Sequence, residues 1–192
     1  MREEMRQGCD QVKIMMSGGV ASPYDPLDSL QFSSAEVAAA VEEAQAFGRY
    51  VCAHAYTPEA ITRAMQGGVR TIEHGNLIDE PAARLMAERG AFLVANLVTY
   101  AVMRERAAQF GMTPEMLAKN DVVLEHGYRS LEICRCAGVP VAYGSDLLGA
   151  LQDEQSREFL IRGEVMKPLE VIQSATTIAA RVLRKAIYKE VA

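Results

Sequence analysis

An α/β fold with parallel strands is predicted for this 192-residue chain from three observations. Five short apolar runs read as strands, and helix-like segments separate them. Each intervening segment is long enough to carry a crossover between neighbouring parallel strands. The polar residues that stand out gather at the C-terminal ends of the apolar runs, where parallel sheets hold their ligands. With 49% hydrophobic and 23% charged residues, the composition fits one domain with a sizeable core.

The first strand is "VKIMM" (12–16), and Gly18-Gly19, Pro23 and Pro26 mark a loop directly after it. Residues 33–48 read as a helix with Ser34 at the N-cap, an apolar stripe of Val37, Val41 and Ala44, and Gly48 as the stop. "RYVCAH" (49–54) is the second strand, followed by a helix over 57–68 with Pro58 in its first turn. "VRTIEHG" (69–75) is the third strand, 79–90 a helix, and "AFLVANLV" (91–98) the fourth strand. A longer helical region over 101–137 restarts at Thr113-Pro114. "VPVAYGSD" (139–146) is the fifth strand, and helices over 153–162 and 168–185 close the chain. This pattern fits both a (β/α)8 barrel and an open doubly wound sheet.

The net charge is −5 with no basic cluster, which argues against nucleic acid or an anionic membrane surface as partner. The N-terminal "MREEMRQGCD" lacks the apolar core of a secretory signal, and no apolar stretch approaches the roughly 20 residues that span a bilayer. Cys9, Cys52, Cys134 and Cys136 form neither a CxxC metal motif nor a disulfide framework, so a reducing cytoplasm is expected.

Four residues carry candidate chemistry: Lys13, His54, His74 and Asp146. Lys13 interrupts an apolar run, and a charge at depth is costly unless paired, neutralised or bound. The other three end their strands, so parallel packing would bring all four to one rim. Period-two alternation places Cys52 with His54, Ile72 with His74, and Ala142 and Gly144 with Asp146. A single strand-end histidine is more often a structural hydrogen-bonding group, and Asp146 alone could cap a turn. Two imidazoles and a carboxylate together suit a borderline divalent ion such as zinc.

The blocks "VKIMMSGGVASPYDP", "VCAHAY", "TIEHGNLID" and "VAYGSD" resemble successive motifs of the amidohydrolase superfamily. The resemblance is to its metal-dependent Xaa-Pro dipeptidase and imidazolonepropionase-like branch and covers about residues 10–184. It implies a partial TIM (β/α)8-type barrel, strands four to eight of the family barrel, as one incomplete domain over 1–192. It also implies one or two zinc ions, with Lys13 carboxylated to a bridging carbamate and His54 and His74 as metal ligands. Asp146 would be both ligand and proton-transfer group. On this reading burial would keep the Lys13 amine neutral, as carbamate formation requires.

The family's first-strand His-x-His pair does not occur here; His126, the third histidine, is expected to be a structural or surface residue on a helix. A complete barrel usually takes about 250 residues. The chain is therefore expected to be a fragment that binds zinc weakly and turns over little on its own. The substrate is expected to be a small molecule or dipeptide, with Tyr100 as candidate for holding its carboxylate, and the full-length protein to be a homo-oligomer. The alternatives are an inactive fragment or assembly module, and a cyclic-amide hydrolase or deaminase using the same residues.

Overall fold

The computed structural model describes residues 1–183. Five strands form one parallel sheet in sequential order: β1 (Gln11–Met15), β2 (Tyr50–Ala55), β3 (Thr71–His74), β4 (Phe92–Ala95) and β5 (Val141–Tyr143). Every neighbour pair is parallel. A doubly wound sheet would reverse its strand order at a switch point. The uninterrupted order is that of a barrel wall, so the partial TIM-type architecture holds and the open alternative does not.

The crossovers begin where side chains can satisfy the exposed N–H groups of a helix start. In α2 (Ser34–Ala46), Ser33 Oγ accepts from Glu36 N while the Glu36 carboxylate accepts from Ser33 N, a reciprocal capping box. The cap is thus Ser33 rather than Ser34, because it is Glu36 that lies three residues on. Thr57 caps α3 (Pro58–Gln66), Asp79 caps α4 (Glu80–Glu88) and Thr113 caps α6 (Pro114–Cys136), each with proline in the first turn. The fourth strand is shorter than expected: Leu97 and Val98 begin helix α5 (Leu97–Glu105) instead. A short helix α1 (Arg2–Arg6), which the polar N-terminal sequence did not announce, buries Met5 against the core. The final region is α7 (Arg157–Arg162), α8 (Pro168–Gln173), a π turn (Ser174–Ile178) and α9 (Ala179–Val182); the expected helix ends at 184–185 lie outside the described residues.

The register decides which side chains meet. One row across the sheet is Ile14, Ala53, Ile72, Leu93 and Val141. All five are buried in the main core, together with Val37 and Val41 of α2, Ile61 of α3 and Met86 of α4. The rows on either side face the other way: Lys13, Cys52, Thr71 and Phe92, then Met15, His54, Glu73, Val94 and Ala142. This second, inner face is partly covered at its β4–β5 end, where Val182 packs on Phe92 and Ala142. At the β1 end it is open: Lys13 is exposed, and Met15 is 40% exposed. The expectation that Lys13 is buried is therefore overturned, because no strand of the described residues pairs with the free edge of β1.

Candidate active site

His54 is a regular member of the inner face, and the residue is 5% exposed. His74 is not. Its register partner is Ala55, which belongs to the helix-covered core, so strict alternation would point the imidazole away from the site. The backbone reverses this with φ +77° at His74 and +64° at Gly75. A left-handed non-glycine residue costs about 1–2 kcal/mol, and such strain gathers at functional sites. The face shared by His74 and Ile72 in the alternation argument is thus corrected: Ile72 packs against the helices, and only the twist after Glu73 brings His74 inward.

The two imidazoles meet edge to face with ring centroids 4.4 Å apart. They share a 570 Å³ cavity with Lys13, Tyr56, Tyr100 and Asp146, so all five predicted site residues line one space. Asp146 reaches it from beyond the strand. β5 stops at Tyr143, and Asp146 adopts φ +48° while its carbonyl accepts a hydrogen bond from Thr99 Oγ1 at 3.3 Å.

Hydrogen bonds select the tautomers. His54 Nε2 lies 3.1 Å from the carbonyl oxygen of Gly18, and a carbonyl only accepts, so the hydrogen sits on Nε2. His74 Nδ1 lies 3.0 Å from Asn96 Oδ1 and 2.7 Å from Tyr100 Oη, which itself is 2.9 Å from Tyr56 Oη. The Asn96 oxygen is likewise an acceptor, placing the hydrogen on Nδ1. His54 Nδ1 and His74 Nε2 therefore carry the lone pairs, and neither has a protein hydrogen-bond partner among the described residues.

Burial keeps both rings neutral. Desolvation pushes His54 down to about 4, the Gly18 hydrogen bond opposing and Lys13 assisting. His74 is held well below its ordinary value, first by desolvation and then by His54 and Lys13. Asp146 is exposed at the rim, yet the protein around it desolvates its carboxyl enough to raise its pKa, with Lys13 opposing. Neutral imidazoles with anchored N–H groups are the form in which histidine binds a divalent ion. The donor chemistry fits such an ion, although among the described residues no three His, Cys, Asp or Glu side chains gather closely enough to hold one.

The Amidohydrolase family model matches residues 1–190. The chain belongs to the amidohydrolase family. It is 55% identical, with a TM-score of 0.93, to a prolidase crystallised with N-methylphosphonate-L-proline, over 95% of this chain and 45% of that one. A Xaa-Pro dipeptidase with methionine bound in its active site is 30% identical with a TM-score of 0.88, over 98% of this chain and 48% of the other. Ochratoxinase of Aspergillus niger is 31% identical over 179 residues, 93% of this chain and 37% of that enzyme. The chain thus spans less than half the length of each of these relatives.

Two residues of this candidate site escaped the sequence reading. Asn96, buried directly after β4, orients His74. Glu73 sits beside His54 on the inner face and lines a second, 340 Å³ cavity with Lys13, Cys52 and Thr71. Its carboxyl is raised by desolvation and receives a 2.6 Å hydrogen bond from Thr71. Counting alternation from His54 across the register, rather than back from His74, would have found it. Tyr24 is 90% exposed and is not among the cavity-lining residues, and Arg106 is tied to Asp153 and Glu154. His126 is exposed on α6, as expected.

Proposed function

We propose that a full-length protein carrying this chain is a metal-dependent hydrolase of peptide-like C–N bonds, prolidase- or dipeptidase-like. The observation that carries the reading is the convergence of two neutral imidazoles, Asp146 and Lys13 on one cavity. His54 and His74 would hold the metal through Nδ1 and Nε2. Zinc, when bound, supplies Lewis acidity toward the amide carbonyl and acidifies a water molecule. Lys13 is accessible to carbon dioxide; addition of its amine, with release of one proton, gives a carbamate that supplies further oxygen ligands. Asp146 takes the proton of the attacking water and returns it to the leaving nitrogen, a role that a raised carboxyl pKa suits. Tyr100 was expected to hold the substrate carboxylate, but its hydroxyl is engaged by His74 and Tyr56, which supports a positioning role instead.

A small-molecule or dipeptide substrate and a homo-oligomeric full-length protein belong to the same reading. So does a reducing cytoplasm, which four unpaired cysteines support. Among the described residues, no helix is long and apolar enough to cross a membrane. For this chain alone, read as one incomplete barrel domain, the open β1 edge and the lack of a gathered three-ligand cluster among the described residues favour weak zinc binding and little turnover.

The test uses full-length protein, metal-depleted and then zinc-reconstituted, on a panel of Xaa-Pro dipeptides, N-acyl amino acids and cyclic amides. Zinc-dependent cleavage of a linear amide is expected. Asp146→Asn should lower kcat about 10²–10⁴-fold, and His54→Asn or His74→Asn should lower bound metal. Turnover indifferent to chelation, or metal binding indifferent to both histidine variants, would overturn the reading. Cleavage of ring amides alone would move it to the cyclic-amide branch.

A further inference from the structure

Lys119 of α6 lies outside the cavity and is half-buried. Its ammonium donates to three main-chain carbonyls of the loop after β1: Gly19 at 2.9 Å, Ser22, and Asp25 at 3.0 Å. An ammonium has three hydrogens, and all three are used. No carboxylate lies within ion-pair distance among the described residues. A loop of carbonyl oxygens closed around a single cation is the arrangement by which proteins coordinate a bound metal ion, with a side chain standing in for it.

The loop has little freedom to settle elsewhere. A Cβ on Gly18 would lie 2.0 Å from the carbonyl oxygen of Pro26, so the loop is folded tightly back on itself. Gly18 is also the residue whose carbonyl accepts from His54 Nε2. The carbonyl held by Lys119 and the carbonyl held by His54 are consecutive along the chain, so displacement of one turns the other.

We propose that Lys119 is a positioning residue: by serving as the cation about which the β1 loop folds, it aims the Gly18 carbonyl at His54 and thereby fixes the tautomer that leaves Nδ1 free for a metal. A residue that merely stiffened the loop would be replaceable by a neutral side chain of similar length without changing where the imidazole hydrogen sits. The tautomer is measurable without metal, so this inference and the hydrolase reading fail separately.

The experiment is long-range proton–nitrogen NMR on the metal-free 192-residue chain, whose three histidines give three resolvable ring systems. In the unmodified chain His54 should show a single Nε2–H form and His74 a single Nδ1–H form, and Lys119 should give its own slowly exchanging ammonium resonance. Lys119→Met should leave His54 averaged between tautomers while His74, anchored by Asn96, is unchanged. Lys119→Gln, a milder variant, should do the same, and added propylammonium should restore the Nε2–H form in Lys119→Ala. A folded Lys119→Met or Lys119→Gln chain that keeps His54 wholly in the Nε2–H form would overturn the proposal. So would a rapidly exchanging Lys119 ammonium in the unmodified chain, an outcome that needs no variant to fold.

Discussion

Two groups of ionisable side chains sit near the C-terminal ends of these strands, and they are handled in opposite ways. Glu158 and Arg162 of α7 are wholly buried. Arg162 Nε donates to Glu158 at 2.8 Å, and its Nη2 donates to the carbonyls of Ala95 and Ala142, clasping β4 to β5. The other Glu158 oxygen accepts from Val98 N at 2.6 Å, at the start of α5. Nearly all the bonding capacity of this pair is used inside the protein; Arg162 Nη1 is the exception. In the His54–His74 cluster one nitrogen of each ring is anchored and the other is left open, and Lys13 and Asp146 are exposed. Burial of titratable groups therefore does not by itself mark a reactive site. What distinguishes the candidate site is that each of its two rings keeps one nitrogen open after the fold is complete.

The largest expected effect falls on the closed pair. Arg162→Met strands a buried carboxylate and should destabilise the chain by about 3–5 kcal/mol in urea unfolding, whereas a Glu158→Leu, Arg162→Met double variant should lose less than the sum of the single losses. A loss below about 1 kcal/mol in the single variant would show that the pair is solvated and that the contrast is false.

The open cluster should make itself felt through pH. His54 has a folded value of about 4 against an ordinary 6.5, so the unfolded chain takes up the proton first. The stability this ring contributes is complete above about pH 6.5 and is lost as pH falls toward 4, by up to about 3 kcal/mol. Urea midpoints at pH 7.5 and 4.5 should therefore separate less in His54→Asn than in the unmodified chain; equal separations would mean that the ring is hydrated.

The smallest effect concerns the backbone that turns His74 inward. Gly75 and Gly90 have φ of +64° and +63°, but a Cβ at Gly75 would lie 2.5 Å from Leu93 Cδ1, while one at Gly90 meets nothing within 4 Å. Gly90→Ala should cost about 1 kcal/mol from backbone strain alone, and Gly75→Ala about 1 kcal/mol more. Equal costs would indicate that Leu93 yields.

Much of this could be read without coordinates, because the signals are local. Pro58 in the first turn of α3, the restart at Thr113-Pro114 and the apolar stripe of α2 depend on neighbours within one turn of chain, whereas the N-cap of α2 was read one residue late, at Ser34 instead of Ser33. A charge inside an apolar run singled out Lys13, strand-end placement singled out His54, His74 and Asp146, and all four do line one cavity. The reading failed where a side chain's direction depends on something beyond its own segment. Lys13 was expected inside and is exposed, because a β1 residue is covered only if another element pairs beside it. Leu97 and Val98 looked like strand and are helix: the Glu158 carboxylate, 60 residues from Val98, accepts the free Val98 N–H in the first turn of α5.

By itself, the order of residues determined the parallel α/β alternation, the helical segments to within a few residues and the choice of four candidate side chains on separate strand segments, since periodicity acts between residues a few positions apart. The tertiary structure alone decided which face each group occupies: the left-handed turn at His74, the tautomers imposed by Gly18 and Asn96, and the Lys119 clasp on the β1 loop. Hydrogen bonds between distant segments and the sign of one backbone angle leave no periodic trace in a sequence, and here they set the chemistry of the site.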